Sequence, residues 1–307
     1  MPNPTAPMSP SPRPDILCIG AVLWDIIGRS PQAMAAGADV PGRIARVPGG
    51  VALNIAMTLR RLGLAPTLLT AVGRDGDGEE LVAACHRLGI GTDLAYRSAD
   101  LPTDRYLAIE DARGLVAAIA DAHSLEAAGD RIVAPLADGR LGSLAQPWTG
   151  LIALDGNLTT ALLSDIARSP LFAAADLRAA PASPGKAERL RPLLAHPRTT
   201  LYVNLEEAGL LCGTRFDDSA SAARGLLQRG AARVLVTAGA RACCDGKAGA
   251  DCVTDVPAKV TVRRVTGAGD TFMAAHIVAE RRGAGRREAL AVALRAASAH
   301  VSSEIGS

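Results

Sequence analysis

Short apolar runs alternate with longer amphipathic stretches along most of this chain, and that alternation constrains the fold more than any other feature. The runs at 16–20, 67–72, 151–154, 200–203 and 234–237 are largely apolar at successive positions, so each would be covered on both faces. Strands of that kind belong in a parallel sheet between two layers of helices. Stretches at 51–62, 78–88, 205–212, 220–229, 269–282 and 287–301 read as helices. The repetition predicts an α/β fold: a doubly wound, mostly parallel sheet sandwiched by helices. In such sheets ligands bind outside the carboxyl ends of the strands. At 307 residues the chain is long enough for one large domain of this class.

Two of the strand-to-helix junctions carry paired glycines. Near the C-terminus, Thr266-Gly267-Ala268-Gly269-Asp270 opens a helix. Glycine lets a backbone approach a ligand closely, and the first N–H groups of a helix have no partner within it. With the positive end of the helix dipole they make an anion site. A carboxylate there would repel a phosphate, so Asp270 is expected to take a proton from a nucleophile. An anion cradle beside a base is what phosphoryl transfer to a hydroxyl requires. The same run is also compatible with a plain turn and an N-capping Asp. Upstream, Pro48-Gly49-Gly50-Val51-Ala52-Leu53-Asn54 starts a second helix and puts Asn54 on its first turn. An amide that donates and accepts suits the vicinal hydroxyls of a sugar; a helix cap with a buried polar residue is the alternative.

Composition excludes several classes. Lys and Arg number 33 against 31 Asp and Glu, spread along the chain, which carries no nucleic-acid signal. No apolar stretch of about 20 residues exists, so no membrane span is expected. The proline-rich head, residues 1–14, lacks the apolar core of a signal peptide and is expected to be disordered. Cys18, Cys85, Cys212, Cys243, Cys244 and Cys252 show no metal-ligand spacing and read as free thiols of a reducing, cytoplasmic compartment. His86, His123, His196, His276 and His300 are scattered, read as ordinary surface or core residues, and predict no zinc site.

Taken together, these segments resemble the ribokinase-like (PfkB) family of sugar and nucleoside kinases, from Ile16 onward. The resemblance rests on ILCIGAVLWD with Asp25 near its end, on the PGG…N helix, on AVGRDGDGEEL, on Asn204-Leu205-Glu206-Glu207 as an N-x-x-E, on Thr237-Ala238-Gly239 as a T-x-G, and on the GAGD turn. Val203 stands where the family usually has proline before the Asn. The resemblance implies a single ATP- and Mg²⁺-dependent kinase domain over 15–307. Asp270 would be the base, and the N–H groups of Gly267, Ala268 and Gly269 would hold the transferring phosphoryl group. Asp25, Gly49, Gly50 and Asn54 would bind the acceptor. Asn204, Glu207, Thr237, Gly239 and Thr266 would line the nucleotide phosphates, with Glu207 near Mg²⁺ through water. A hydrated ion suits Mg²⁺, which keeps most of its shell.

Two stretches interrupt the alternation. Residues 26–47 show no clear helix, and 105–121 reads as two strands around an Asp111-Ala112-Arg113-Gly114 turn. The resemblance makes segments at about 26–47 and 103–121 a small β-lid over the sugar, inserted in the kinase domain. A lid would exclude water, the competing phosphoryl acceptor. Family lids often pair between subunits, which implies a homodimer through the lid; a surface hairpin without a closure role is the alternative. Arg264 stands six residues before Asp270, where many family members carry an Asp that helps to hold a monovalent cation. An arginine cannot ligate K⁺, so its charge is expected to replace the ion's.

For the acceptor, the pattern is most similar to the family's pseudouridine kinases. The features are PGGVALNIA, Thr103-Asp104-Arg105-Tyr106-Leu107 with Ala118-Ile119-Ala120-Asp121, Asp155-Gly156-Asn157, and VTGAGD. This implies phosphorylation of pseudouridine on its 5′-hydroxyl, with Tyr106 and Asn157 on the acceptor side. Ribokinase, fructokinase and 2-keto-3-deoxygluconate kinase share the main motifs, and Tyr106 could equally pack within the lid. A non-catalytic sugar- or nucleotide-binding regulator is the rival from another class; the intact Asp270 argues against it. A dinucleotide-binding oxidoreductase is weaker, because GAVLWD replaces G-x-G-x-x-G after the first strand.

Overall fold

The computed structural model describes residues 14–303. In chain order, β1 (Ile16–Ile19) leads to β2 (Leu23–Arg29), β3 (Arg43–Gly49) and helix α1 (Val51–Arg61). Next come β4 (Pro66–Leu69), β5 (Ala71–Gly73), α2 (Gly76–Arg87), β6 (Tyr96–Ser98), the hairpin β7 (Arg105–Asp111) and β8 (Gly114–Asp121), and α3 (His123–Ala128). Then follow β9 (Leu151–Asp155), α4 (Thr160–Arg168), β10 (Asp176–Ala180), 3₁₀ turns over Pro184–Ala195, β11 (Thr199–Asn204) and α5 (Leu205–Cys212). The chain continues with α6 (Ser219–Gln228), β12 (Arg233–Ala238), β13 (Arg241–Lys247), β14 (Val253–Asp255), α7 (Ala268–Arg281) and α8 (Arg286–Ser302).

The main sheet has eight strands in the order β14-β13-β12-β11-β10-β9-β1-β4. From β12 to β4 all neighbours are parallel; β13 and β14 add antiparallel strands at one edge. Alternation across the pleat divides the core. Leu17 and Ile19 of β1 pack with Ile152, Leu154 and Leu163 on one face, and Ile16 and Cys18 pack with Ile55, Met273, Ile277 and Leu290 on the other. Truncating a fully buried residue such as Ile55 to Ala would cost about 2–5 kcal/mol. The chain leaves β1 for the β4 edge and re-enters on the opposite side of β1 as β9. That reversal makes the carboxyl ends of β1 and β9 the switch point where such folds bind ligands.

The sequence reading identified five main-sheet strands and missed β10, β13 and β14. Their run is broken by charges, which the tertiary structure neutralises. Arg178 on β10 reaches Asp176 at 2.7 Å and Glu280 of α7 at 2.5 Å, and Arg233 on β12 reaches Asp245 of β13 at 2.7 Å and Glu280 at 2.5 Å. Buried charges persist only when paired in this way.

A second sheet, in the order β3-β2-β7-β8, is built from the two segments expected to form the lid. Segment 26–47, in which no helix is expected, supplies most of β2 and β3. The register puts Asp25 opposite Tyr106 and Ala120 on one face. Ile26, Leu107 and Ile119 share the other, together with Ile44 and Ile109 one pair further on. Apart from Pro14, the proline-rich head lies outside the described residues. No helix among them is long and apolar enough to cross a membrane.

Candidate functional site

Asp155, the last residue of β9, organises the switch point. Its carboxylate is fully buried and accepts backbone N–H groups from Ala21 at 2.8 Å, Ala52 at 3.1 Å and Asn157 at 2.8 Å. It thus ties the end of β1 and the N-terminus of α1 to β9. Burial pushes its pKa up, and the three N–H donors pull against that. Gly20 has no side chain for a reason: a Cβ there would lie 2.2 Å from the Asp155 carboxylate.

The residues expected on the acceptor side lie on the elements that leave this anchor. Gly49 faces Asp25 so closely that a Cβ would meet its carboxylate at 2.0 Å. Gly50 caps α1 with φ +95°, a conformation that side chains rarely adopt, and a Cβ there would meet Ala21 O at 2.3 Å. The glycine pair is therefore what lets β3 turn directly into α1. Asp25 is half-buried, and burial raises its pKa to about 6. Tyr106 is half-buried beside it, its phenol pKa raised by burial and by the Asp25 charge. Asn54 donates its amide to Asp270. Asn157 is buried, and its Oδ1 accepts the Lys186 ammonium at 2.6 Å.

On the other side, α7 begins at Gly267, which takes φ +81° and supplies no side-chain cap. The N–H of Ala268 donates to Val265 O at 3.1 Å, closing a turn. Of the three N–H groups expected to form the cradle, that of Ala268 is thus engaged within the turn. The N–H groups of Gly267, Gly269 and Asp270 have no backbone partner among the described residues. Asp270 has its pKa raised to about 7: burial acts first, the charges of Asp155 and Glu207 add to it, and the Asn54 hydrogen bond opposes it.

Asn204 and Thr237 end neighbouring strands and are register partners. Asn204 and Glu207, the ends of the N-x-x-E motif, form a capping box on α5. Asn204 Oδ1 accepts from Glu207 N at 2.9 Å, and Glu207 Oε2 accepts from Asn204 N at 2.8 Å. Glu207 is buried, and burial with the nearby Glu206 raises its pKa to about 7. Among the described residues no group of three or more His, Cys, Asp or Glu has the geometry of a metal site. The surplus of negative charge around Asp155, Glu207 and Asp270 nonetheless fits a hydrated Mg²⁺ that takes its other ligands from phosphates and water. Gly239 is exposed with φ +62°, after a bulge at Thr237. Thr266 is exposed, and its carbonyl meets His300 Nε2 at 2.8 Å.

Three contributors were not assigned in sequence. Asp155 was visible in a motif but given no role. Lys186 is one of only three lysines, a weak signal. His300 was read as ordinary, and nothing in the primary structure joins it to the turn at Thr266.

The family model described as pfkB family carbohydrate kinase matches residues 13–306. The pseudouridine kinase of Escherichia coli (strain K12) is 29% identical over 267 residues, covering 84% of this chain and 81% of that protein. A carbohydrate kinase from Agrobacterium tumefaciens has a similar structure, with TM-score 0.78 and 28% identity over 95% of this chain and 92% of that one. The Arabidopsis thaliana ribokinase complexed with ribose and ATP superposes with TM-score 0.77 at 20% identity, over 95% and 93% of the two chains, a likeness of fold.

Proposed function

The chain belongs to the pfkB family of carbohydrate kinases and is a phosphotransferase acting on a hydroxyl group, and we propose that it transfers the γ-phosphoryl group of ATP to the 5′-hydroxyl of pseudouridine. The observation that carries the catalytic half is Asp270: a carboxylate with a pKa of about 7, beside free N–H groups at the start of α7. A base works best when its pKa lies near the working pH. In this reading Asp270 takes the proton as the acceptor oxygen attacks the γ-phosphorus. The bond to the ADP oxygen breaks, and the electron pair leaves with ADP. The N–H groups of Gly267 and Gly269 hold the equatorial oxygens, whose charge is stabilised better in a dry, preorganised site than in water. Glu207 would hold Mg²⁺ through water, and the ion would supply positive charge against the phosphates. Asn204, Thr237, Gly239 and Thr266 line the path of the phosphates.

On the acceptor side, Asp25 and Asn54 bind ribose hydroxyls. The lid around Tyr106 covers the base, and the Lys186–Asn157 pair offers polar atoms to its edge. The similarity to the E. coli pseudouridine kinase supports this choice. Comparing kcat/KM for pseudouridine, uridine, ribose, fructose and 2-keto-3-deoxygluconate under identical ATP·Mg²⁺ tests it. Pseudouridine should be preferred, because a pocket whose polar groups pair with a base discriminates against acceptors lacking one. If fructose or the keto-deoxy acid is the better substrate, the acceptor assignment falls.

The outer lid face supports a homodimer. Ile44 is 81% exposed, Ile119 64% and Leu107 39%, a run of apolar surface that pairing of two lids would cover. Sedimentation of the wild type against Ile119→Lys tests this; a monomeric wild type refutes it. The six free cysteines suit a reducing cytoplasm.

A further inference from the structure

We propose that His300, on the last turn of α8, is a positioning residue that clamps the phosphoryl-binding turn of α7 through its imidazole ring. The inference rests on the reading of that turn as the phosphoryl cradle. Nε2 lies 2.8 Å from the carbonyl oxygen of Thr266. A carbonyl only accepts, so Nε2 carries the hydrogen and Nδ1 is the acceptor. The two groups facing Nδ1 are both donors: the Thr271 hydroxyl at 3.1 Å and the Arg264 guanidinium at 3.2 Å. The neutral Nε2–H ring therefore satisfies every partner around it, and no other state of the ring does.

The clamp grips both sides of the turn. Thr266 precedes Gly267 and Thr271 follows Asp270, so the ring bridges the cradle from behind. Arg264 is in turn fixed to the end of α8: its Nε donates to His300 O at 3.1 Å, and the N–H groups of Arg263 and Arg264 reach Val301 O at 2.8 and 3.2 Å. These donors also satisfy carbonyls that a helix C-terminus leaves unpaired. Gly267 completes the fit, since a Cβ there would lie 3.2 Å from the ring. Because α7 has no side-chain cap of its own, α8 supplies the constraint that its N-terminus lacks.

A turn held in this way aims its N–H groups before the reaction begins, so its loss should appear in kcat rather than in ground-state binding. His300→Phe keeps a planar aromatic ring, somewhat larger than imidazole, and loses all three bonds. It should lower kcat roughly 10- to 100-fold, as for a small misplacement of reacting groups, with little change in KM for ATP or acceptor. His300→Gln should recover most of kcat, because its amide can donate to Thr266 and its oxygen can accept from Arg264 and Thr271. A folded His300→Phe variant with wild-type kcat overturns the proposal, as does a loss confined to KM. Should His300→Phe not fold, Arg264→Met is judged by the same split, and ¹⁵N shifts of the wild-type ring must show the Nε2–H tautomer. The opposite tautomer or a protonated ring at neutral pH also overturns it. Asp270→Asn separates the two levels: if that variant is active, the cradle reading itself fails; if it is dead while His300→Phe is unimpaired, only the clamp does.

Discussion

Asn54, on the first turn of α1, donates its amide to the carboxylate of Asp270, on the first turn of α7. Two helix N-termini from opposite ends of the chain thus meet through one hydrogen bond. That bond favours the charged form of Asp270 and holds its pKa down against burial and the charges of Asp155 and Glu207. The acidic limb of kcat/KM should therefore lie near pH 7, with activity rising as Asp270 loses its proton. Removing the donor in Asn54→Ala should move that limb to higher pH. A limb that stays in place, measured across pH 5 to about 9 in the free enzyme's kcat/KM, would show that another group titrates.

Asp270→Asn should retain ATP binding and lose at least ~100-fold in turnover, the scale of a missing general base. It should also melt higher than the wild type at pH 8. A folded-state pKa raised from 3.8 to about 7 means that the native protein binds the proton more tightly than the unfolded chain. The stabilisation it brings is complete below pH 3.8 and is lost as the pH rises toward 7. The amide carries no charge in that site, so the gap in melting temperature should open between those limits. A gap of equal size at pH 4 and pH 8 would contradict the raised pKa.

Potassium should have little effect on rate. Arg264 places a fixed positive charge against His300 O and Nδ1, in the stretch leading into the GAGD turn. Rates in potassium and in a bulky organic cation at equal ionic strength provide the comparison. Strong activation by potassium would mean that a cation binds despite the guanidinium.

Gly50→Ala should be far more damaging than Gly76→Ala. The first substitution sets a methyl 2.3 Å from Ala21 O at φ +95°, where the chain passes from lid to α1. The second adds a methyl with nothing within 4 Å on the first residue of α2. Thermal melting should show a large loss for Gly50→Ala, and for Gly76→Ala no loss or a gain of about 0.5–1 kcal/mol. Equal effects would mean that the α1 entry can relax.

Local sequence determined the α/β class and both glycine turns, because each follows from periodicity and from conformations that only glycine adopts. It also determined the β7–β8 hairpin: the turn at Ala112-Arg113 lies between strands whose alternation is readable in 105–121. β10 was not legible, since Arg178 breaks its apolar run and becomes tolerable through Asp176 beside it and Glu280, which arrives a hundred residues later on α7. Nor was the use of the Ala268 N–H, which depends on how Val265 folds back. The proton affinity of Asp270 was beyond any local reading. It reflects burial, two carboxylates and one amide delivered by β9, α5 and α1, and Coulomb and desolvation terms depend on distance in space rather than along the chain. The residue that holds the cradle from behind, His300, lies on the last helix, and only the packing of α8 against α7 brings its ring to Thr266.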